Sequence, residues 1–337
     1  MSGTRRIVVP APGRVVVEDA AASPPGPGEL LCEARVSLLS TGTESFCLAG
    51  EFDPGTFWEE WVRYPFAPGY SMTSVVVEAG PETTGFRPGD RIATQTPHAE
   101  RFTVAAAEAV RIPDDITDDQ AAWMSLACTT QLGVRRAELQ LGETVGVVGL
   151  GLLGQLVTQY LRVAGAGRII AIDTAQERLD RALAHGATDA IAATAGSARD
   201  RVAELTGGDL LDVVFDITGH HDVLADASTL LRPLGRLVLL GDSPSPSRQR
   251  LGPRIVGDSI AVLGVHASIA PEVRTPRDRW TIEAMTGLFF LLLRTGRMDV
   301  DGLVSHRFSP DDAPAVYERL QTHRSEHLGV LFEWTRP

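Results

Sequence analysis

The stretch GLGLLG at residues 149–154 decides the fold, because it joins the strand-like segment 144–148 (TVGVV) to an amphipathic segment with the spacing of a helix. In this G-x-G-x-x-G pattern the first glycine permits a tight turn and the second lets phosphates approach the backbone. The third allows close packing of helix on strand. Amides at the helix N-terminus also attract the negative charge of a pyrophosphate, so the stretch predicts a dinucleotide-binding turn. The candidate contacts are Gly149, Leu150, Gly151, Leu152, Leu153 and Gly154.

Four residues beyond the turn extend this candidate site. Asp173 ends the next strand-like segment, RIIAID, 19 residues after Gly154. A carboxylate there accepts hydrogen bonds from a ribose 2′-hydroxyl and repels a 2′-phosphate, which favours NAD(H) over NADP(H). Arg178 lies on the following helix and could pair with a phosphate, so NADP(H) stays possible. Thr218 and Gly241 follow two further strands, at the sheet edge where such folds bind the rest of a dinucleotide.

The pattern of predicted secondary structure changes on both sides of this region. Between 121 and 265, helices alternate with about six unbroken apolar strands, as in a doubly wound parallel sheet. Residues 1–120 consist of short strand patterns separated by Gly and Pro, and residues 266–337 return to a mixed pattern of helix and strand. We therefore expect an α/β protein in which the first and last pieces form one domain around a central dinucleotide-binding domain.

Composition excludes several classes of protein. The 337 residues carry 31 basic and 43 acidic groups, a net charge of −12, and all the basic residues are arginine. Without lysine, pyridoxal enzymes, Schiff-base aldolases and Walker-type phosphate loops are excluded. The acidic balance argues against nucleic acid as a partner. Three scattered cysteines do not make a disulfide framework, and neither a signal segment nor a membrane-spanning run is evident, so we expect a cytoplasmic protein.

Five further stretches occur in a characteristic order: STGTE at 40–44, PGYS at 68–71, RPGDR at 87–91, HAE at 98–100, and Cys128 ahead of GLGLLG. Together with the dinucleotide-binding turn, they resemble the medium-chain dehydrogenase/reductase family, which includes the zinc-type alcohol dehydrogenases. STGTE with PGY resembles the branch that contains bacteriochlorophyllide dehydrogenase. The resemblance implies a Rossmann domain plus a discontinuous, mostly β, GroES-like catalytic domain. It also implies a homodimer formed through the edge strand near IAVLGV.

The zinc ligands of that family are largely replaced. Its zinc-dependent members carry Cys where this chain has Thr41, and His-Glu where it has Tyr70 and Ser71, so only Cys128 stands at a ligand position. A catalytic zinc needs about three protein ligands, and hydroxyl groups are poor ones beside Cys and His. We therefore expect no catalytic metal. A site built from Cys128, His98 and a third ligand is the alternative.

Without zinc, side chains must polarise and protonate the carbonyl oxygen. The resemblance places Thr43 at the family's proton-relay hydroxyl, Tyr70 at a former metal-ligand position, and His98 beside the substrate pocket. Glu44 could orient one of them. The alternatives are a packed aromatic for Tyr70, a surface-turn residue for His98 and a β-turn hydroxyl for Thr43.

Two further histidine features lie outside these motifs. His220 and His221 follow a strand, and the sequence analysis finds no carboxylate or cysteine at ligand spacing, so we interpret them as a solvated helix start. His266, just after the sixth strand, is a weaker candidate for the substrate pocket.

Residues 51–66 hold six of the 20 aromatic residues of the chain. They are either the core face of a short helix or a pocket wall. The nearby acids, if they gather at the mouth of a cleft, would favour a cationic substrate, although such a run is also typical of a solvated face. These acids are Glu51, Asp53, Glu59 and Glu60.

Together these features predict an NAD(P)(H)-dependent oxidoreductase that interconverts a secondary alcohol and a ketone without zinc. The resemblance, with the high-GC coding that exclusive use of arginine suggests, points to a biosynthetic substrate: a hydroxyethyl tetrapyrrole, or a keto-sugar or aminocyclitol of the kind found in antibiotic biosynthesis. The alternatives are a zinc-free enoyl or quinone reductase and a non-catalytic nicotinamide-binding protein.

Overall fold

The structure, a computed structural model, describes residues 4–323 and 326–334, and the chain divides into two units. The first comprises Met1–Ser125, Thr286–Arg294 and Val300–Pro337. The second comprises Leu126–Met285 and Thr295–Asp299. None of the helices in the described part of the chain combines the length and the hydrophobicity that crossing a membrane requires.

Strands and helices are numbered in chain order over the described residues. The strands are β1 (Thr4–Ala11), β2 (Arg14–Ala20), β3 (Glu29–Leu39), β4 (Met72–Ala79), β5 (Arg91–Thr94), β6 (Arg101–Ala105), β7 (Val110–Arg111), β8 (Thr144–Val148), β9 (Arg168–Asp173), β10 (Asp189–Ala192), β11 (Leu211–Asp216), β12 (Leu231–Leu239), β13 (Ala261–Gly264), β14 (Val304–Phe308) and β15 (Gly329–Glu333). The helices are α1 (Thr43–Ala49), α2 (Phe57–Trp61), α3 (Asp118–Ala121), α4 (Met124–Arg136), α5 (Leu152–Ala164), α6 (Gln176–Ala184), α7 (Ala195–Leu205), α8 (Val223–Ser228), α9 (Ile282–Arg294) and α10 (Ala313–Thr322).

The second unit contains a six-stranded parallel sheet in the order β10-β9-β8-β11-β12-β13. Its central strands are apolar on both faces because helices cover both, and residues such as Val147 and Val214 are fully buried. This is the doubly wound Rossmann order, in which the chain reverses direction across the sheet between β8 and β11. This strand order confirms the α/β fold with a parallel Rossmann sheet that the sequence predicts. Ligands of such sheets bind outside the carboxyl ends of the strands, at the point where the chain reverses.

The first unit is built on an antiparallel-rich sheet in the order β14-β15-β3-β4-β5-β7, with β6 also paired to β3. Strands β1 and β2 form a separate hairpin. Strand β15, from the end of the chain, lies between β14 and β3, so the C-terminal piece completes a sheet begun by the N-terminal piece. A core of buried residues that includes Ile7, Leu39, Trp58, Tyr317 and Phe332 joins the two pieces.

The division between the units differs from the expected boundaries at 120 and 265. Residues up to Met285 belong to the second unit because Trp280 packs against Arg135 of α4, with the guanidinium carbon 3.3 Å from the ring centroid. The Gln131 amide also donates to the Met285 carbonyl at 3.1 Å. Segment 121–125 stays with the first unit, where the Ser125 hydroxyl donates to the Tyr70 carbonyl at 2.6 Å.

Candidate active site

The dinucleotide-binding turn has the shape that its glycines predict. Gly149 adopts φ 90°, a left-handed conformation that favours glycine. A Cβ added to Gly154 would overlap the carbonyl oxygen of Gly149, so the helix approaches the turn too closely for any side chain. A Cβ added to Gly151 would meet no atom within 4 Å. Gly151 is also the N-cap of α5 and offers no side chain to the first-turn amides, so the turn has both the open space and the donors that a pyrophosphate requires.

Asp173 lies at the end of β9, directly beside this turn. Its Oδ2 accepts the backbone N–H of Leu150 at 2.7 Å, and its Oδ1 accepts that of Ala175 at 2.9 Å. These bonds fix the carboxylate at the mouth of the turn, and each oxygen keeps acceptor capacity for a further hydroxyl. The arrangement therefore fits a dinucleotide with two free ribose hydroxyls.

The loops after β11 and β12 close the same edge. A Cβ on Gly149 would lie 2.8 Å from the Thr218 methyl carbon, and one on Gly241 would overlap the backbone nitrogen of Gly219. Thr218 thus lies beside the turn, and Gly241 packs against the loop that carries Thr218. Arg178 lies half-buried on α6, and its carbonyl accepts the Gln155 amide of α5 at 2.8 Å.

Asp216 positions the Thr218 loop, a role that the sequence did not reveal. Its Oδ1 accepts both the backbone N–H of Thr218 at 2.9 Å and the Thr218 hydroxyl at 2.7 Å. Burial raises the pKa of the Asp216 carboxyl, while the two hydrogen bonds partly oppose this shift. A buried acid at the end of β11 could have been suspected from VVFDITG, but the partner of the acid could not.

In the first unit, three hydroxyl groups form a cluster. The half-buried Tyr70 hydroxyl lies 2.5 Å from Ser40 Oγ and 3.2 Å from Thr43 Oγ1. Burial raises the pKa of the Tyr70 hydroxyl to about 12, although the bonds with Ser40 and Thr43 act in the opposite direction. The phenol therefore keeps its proton at neutral pH and can donate it. Ser40 stands in the STGTE motif, but the sequence analysis gave it no role.

The Glu44 carboxylate is hydrogen-bonded to the backbone of Ser40, one member of this cluster. Its Oε1 accepts the backbone N–H of Ser40 at 2.7 Å, and its Oε2 lies 3.1 Å from His98 Nε2. The same oxygen accepts the hydroxyl of Tyr317, which burial and the Glu44 charge hold at a pKa well above its usual range. Glu44 is only 1% exposed, so its charge is balanced inside the protein rather than by water.

His98 is fully buried, unlike the surface-turn alternative in the sequence analysis. Its Nδ1 lies 2.8 Å from Ser37 Oγ, which also accepts the Trp334 indole N–H at 2.9 Å. Ser37, His98 and Glu44 are residue types of a hydrolase triad, yet none of the three has meaningful exposure to a substrate. Glu44 contacts the hydroxyl cluster through the Ser40 backbone N–H, and His98 contacts Glu44 and Ser37 rather than the three hydroxyl groups.

The positions that correspond to zinc ligands hold unsuitable donors. The Ser71 hydroxyl donates to the Ala122 carbonyl at 2.7 Å, and the Thr41 carbonyl accepts the Ser45 hydroxyl at 2.6 Å. Cys128 is buried on α4 in the second unit, and both ring nitrogens of His98 are engaged. Hydroxyl oxygens do not match the N and S donors that zinc prefers, so these residues do not fit a catalytic zinc.

The aromatic segment contributes both to the core and to the hydroxyl cluster. Trp58 is buried in the core of the first unit and stacks on Phe52, with centroids 5.9 Å apart. The half-buried Trp61 lies edge-on to Tyr70, with centroids 6.4 Å apart. Of the acids near this segment, Glu59 and Glu60 are exposed, and the Glu59 carboxylate accepts the Gly55 N–H at 2.7 Å. Trp58 thus belongs to the core, and Trp61 packs against the same core as well as against Tyr70.

Comparison with known families and sequences gives a consistent picture. A family model described as zinc-binding dehydrogenase matches residues 153–275. The chain is 26% identical to 2-desacetyl-2-hydroxyethyl bacteriochlorophyllide A dehydrogenase of Rhodobacter capsulatus, over 98% of each protein. It is 24% identical to D-guloside 3-dehydrogenase of Escherichia coli, over 90% of this chain and 93% of that protein.

Solved structures share the fold. A zinc-binding dehydrogenase of Sinorhizobium meliloti bound to NADP superposes with a TM-score of 0.82 at 24% identity, covering 99% of this chain and 100% of the other. A quinone oxidoreductase of Pseudomonas syringae superposes with a TM-score of 0.80 at 23% identity, covering 98% and 99%.

Proposed function

Because the chain belongs to the medium-chain dehydrogenase/reductase superfamily, we propose that it is a nicotinamide-dependent oxidoreductase that interconverts a secondary alcohol and a ketone without catalytic zinc. The observation that carries the proposal is the hydroxyl cluster of Tyr70, Ser40 and Thr43, in which Tyr70 stands at a position where the resemblance expects a zinc ligand. The cofactor edge of the Rossmann sheet supports the nicotinamide requirement.

A nicotinamide cofactor held at the glycine turn and Asp173 would supply the hydride that reduces the carbonyl carbon. Tyr70 donates its phenolic proton to the carbonyl oxygen, so that a neutral alcohol forms as the C=O π bond is lost. The hydroxyls of Ser40 and Thr43 then stabilise the phenolate by donating hydrogen bonds, until a proton from solvent restores it. The Glu44 carboxylate accepts a hydrogen bond from the backbone N–H of Ser40. This bond keeps the Ser40 hydroxyl next to the Tyr70 hydroxyl.

The preferred cofactor is NAD(H). Asp173 is held at the turn by two backbone N–H groups, and its remaining acceptor capacity suits ribose hydroxyls. A 2′-phosphate brought to the same place would meet the carboxylate charge at short range. NADP(H) binding requires Arg178 to offset that repulsion.

The substrate class is a polyhydroxylated ketone such as a keto-sugar or aminocyclitol, as in antibiotic biosynthesis. Trp61 beside Tyr70 offers an aromatic face, on which sugar rings and ammonium groups pack well. The exposed carboxylates of Glu59 and Glu60 favour a cationic substrate by electrostatic steering. Sugar oxidation in the related guloside enzyme supports this class, and the bacteriochlorophyllide relative makes a hydroxyethyl tetrapyrrole the competing one.

A reductase of enones or quinones is the second candidate. The hydroxyl cluster would polarise the carbonyl of such a substrate equally well, and hydride would then reach the conjugated carbon. The fold shared with a quinone oxidoreductase is compatible with this chemistry. Product analysis separates the two reactions, because one yields an alcohol and the other a saturated ketone or a hydroquinone. Turnover of either kind excludes a non-catalytic nicotinamide-binding protein.

The decisive experiment measures NADH oxidation by chelator-treated protein with a panel of keto-sugars and aminocyclitol ketones. We expect turnover that neither chelation nor added zinc changes by more than about twofold, since Tyr70 supplies the proton. Activity lost on chelation and restored by zinc would contradict the zinc-free mechanism. Saturated ketones as products from enone substrates only would favour the second candidate.

A further inference from the structure

The loop between β11 and α8 brings three potential metal ligands together. His220 Nδ1 lies 3.9 Å from Asp222 Oδ2, and His221 Nε2 lies 3.6 Å from the same oxygen. One ligand atom from each residue lies within 4.8 Å of the other two. Across the described ranges 4–323 and 326–334, this is the one such group of three His, Cys, Asp or Glu side chains. The expectation that the histidines had no carboxylate at ligand spacing is therefore wrong, because the backbone turn folds the adjacent Asp222 toward both rings.

The separations are close to those of an occupied site. With metal–nitrogen and metal–oxygen bonds of about 2.0–2.2 Å at tetrahedral angles, neighbouring ligand atoms lie about 3.4 Å apart. The two measured pairs thus need to close by only about 0.2 to 0.5 Å. His220 and Asp222 have side chains 58% and 63% exposed, so both can rotate, while His221 is 13% exposed and more firmly held.

The hydrogen bonding of His220 and the stacking of the two imidazole rings also suit a role as metal ligands. His220 Nδ1 accepts the backbone N–H of Asp222 at 3.3 Å, so that nitrogen carries a lone pair rather than a proton. The bond is long, and an ion can replace it at small cost. The rings of His220 and His221 stack with centroids 4.4 Å apart and planes at 24°, so the two imidazoles lie close together.

We propose that His220, His221 and Asp222 bind a divalent transition-metal ion such as Zn²⁺. Two imidazoles and one carboxylate match the donors of zinc, cobalt and nickel sites, whereas magnesium and calcium prefer oxygen ligands alone. Three protein ligands leave a coordination position for water. The site shares no residue with the hydroxyl cluster, so zinc content and zinc dependence are distinct properties of this protein.

The site is tested by titrating the chelator-treated full-length protein with Zn²⁺ by calorimetry, and with Co²⁺ by absorbance, which reports nitrogen and oxygen ligation. We expect about one ion per chain and no comparable binding of Mg²⁺. His221→Ala and Asp222→Asn should each weaken Zn²⁺ binding at least about tenfold, because losing even an outer-shell partner of a metal ligand costs roughly that much.

The matched control is His306→Ala. His306 stacks on His327 with centroids 4.4 Å apart, a second histidine pair of the same geometry but outside any convergent group of three described ligands. The site is supported if Zn²⁺ affinity is unchanged in His306→Ala and reduced in His221→Ala and Asp222→Asn. Equal losses in all three, or none in His221→Ala and Asp222→Asn, would overturn it. If His221→Ala fails to fold by circular dichroism, the exposed His220→Asn takes its place.

The outcome is independent of the proposed catalytic function. Failure of Zn²⁺ to bind overturns the site and leaves carbonyl reduction untouched. Carbonyl reduction that disappears with Zn²⁺ removal, while the titration proceeds as expected, supports the site and contradicts the zinc-free mechanism.

Discussion

At the scale of single residues, Tyr70 is the group on which the proposed chemistry depends. Tyr70→Phe should lower kcat for carbonyl reduction by about 10²–10⁴-fold, the usual contribution of general acid catalysis, with little change in KM. The wild-type rate should be independent of pH around neutrality and fall only as pH rises toward about 12, because the protonated phenol is the active form. Steady-state kinetics across pH measure both effects.

Tyr64→Phe is the matched control for this prediction. The Tyr64 hydroxyl donates to the Cys47 carbonyl at 2.6 Å, away from Ser40 and Thr43, so its removal should leave kcat unchanged. A Tyr70→Phe enzyme with wild-type kcat would rule out Tyr70 as the proton donor. A loss of reductase activity on passing pH 7 to 8 would point to another acid.

Asp173 determines cofactor choice at the same scale. Asp173→Ala should weaken NADH binding by about 1–3 kcal/mol and leave NADPH binding less affected, because a charge-assisted hydrogen bond and a repulsive charge disappear together. Fluorescence titration of both cofactors measures the change. Asp173→Asn removes the charge while its amide oxygen can still accept the Leu150 N–H, although its NH2 group cannot accept that of Ala175. NADPH binding at least as tight as that of NADH in the wild type would contradict the assignment.

Residue types and spacing were sufficient to predict the glycine turn with Asp173 beside it, because these contacts are local or lie at the next strand end. They were not sufficient for Glu44 and His98. Glu44 accepts a hydrogen bond from the hydroxyl of Tyr317, which lies 273 positions away in the sequence. His98 is hydrogen-bonded to Ser37, which lies 61 positions away. No pattern within a short window indicates that such a carboxylate is buried and paired, so the sequence analysis could place it only as a candidate in the site.

At the scale of elements, two glycines at the junction of β8 and α5 have different roles: Gly151 matters for cofactor binding and Gly154 for stability. Gly151→Ala should abolish NADH binding yet change the melting temperature of the ligand-free protein little, because the added methyl group enters open space. Gly154→Ala should destabilise the second unit, since the same methyl group collides with the Gly149 carbonyl. Thermal unfolding and NADH titration of the two variants provide the comparison. Equal loss of stability in both would mean that the space before Gly151 is not a binding site.

The aromatic segment supplies a second prediction for an element. Trp58→Ala should lower the free energy of unfolding by about 3–5 kcal/mol without altering substrate selectivity, because Trp58 fills the core. Trp61→Ala should raise KM for ring-shaped substrates, because its ring lies beside Tyr70. Val77→Ala, at a 37% exposed position on β4, is the control. A change of KM in Trp58→Ala alone would reverse these assignments.

Element boundaries were harder to predict where a side chain interrupts a pattern. Helix α8 ends at Ser228 although apolar residues continue to Leu234, and β12 begins at Leu231. Pro233 cannot supply an amide to a helix, and Leu234 takes φ 66° where β12 shifts register on β11. Helix α1 was not foreseen, since Gly42 gives its start no side-chain cap and seven residues show little periodicity.

At the scale of the whole molecule, we predict a homodimer formed through β13. This strand is the last in its sheet, and Val262 is 37% exposed on it, so its outer edge can pair with the same strand of a second copy. Val262→Arg should shift the protein to monomers in sedimentation velocity, because like charges then face each other across the twofold axis. Leu141→Arg, at an exposed position outside the strands, should not. A wild-type protein that sediments as a monomer would end the proposal.

The position of β15 between β14 and β3 has a consequence for synthesis on the ribosome. The strands of the second unit all lie between Thr144 and Gly264, so its sheet can assemble while the chain is still growing. Strand β3 must wait for a neighbour almost 300 residues downstream, and Ser37 receives the Trp334 indole across 297 positions. At roughly 5–20 residues per second that delay lasts about 15 to 60 seconds. During this interval the part of β3 at residues 36–39 lacks its partner strand and is open to pairing with other chains.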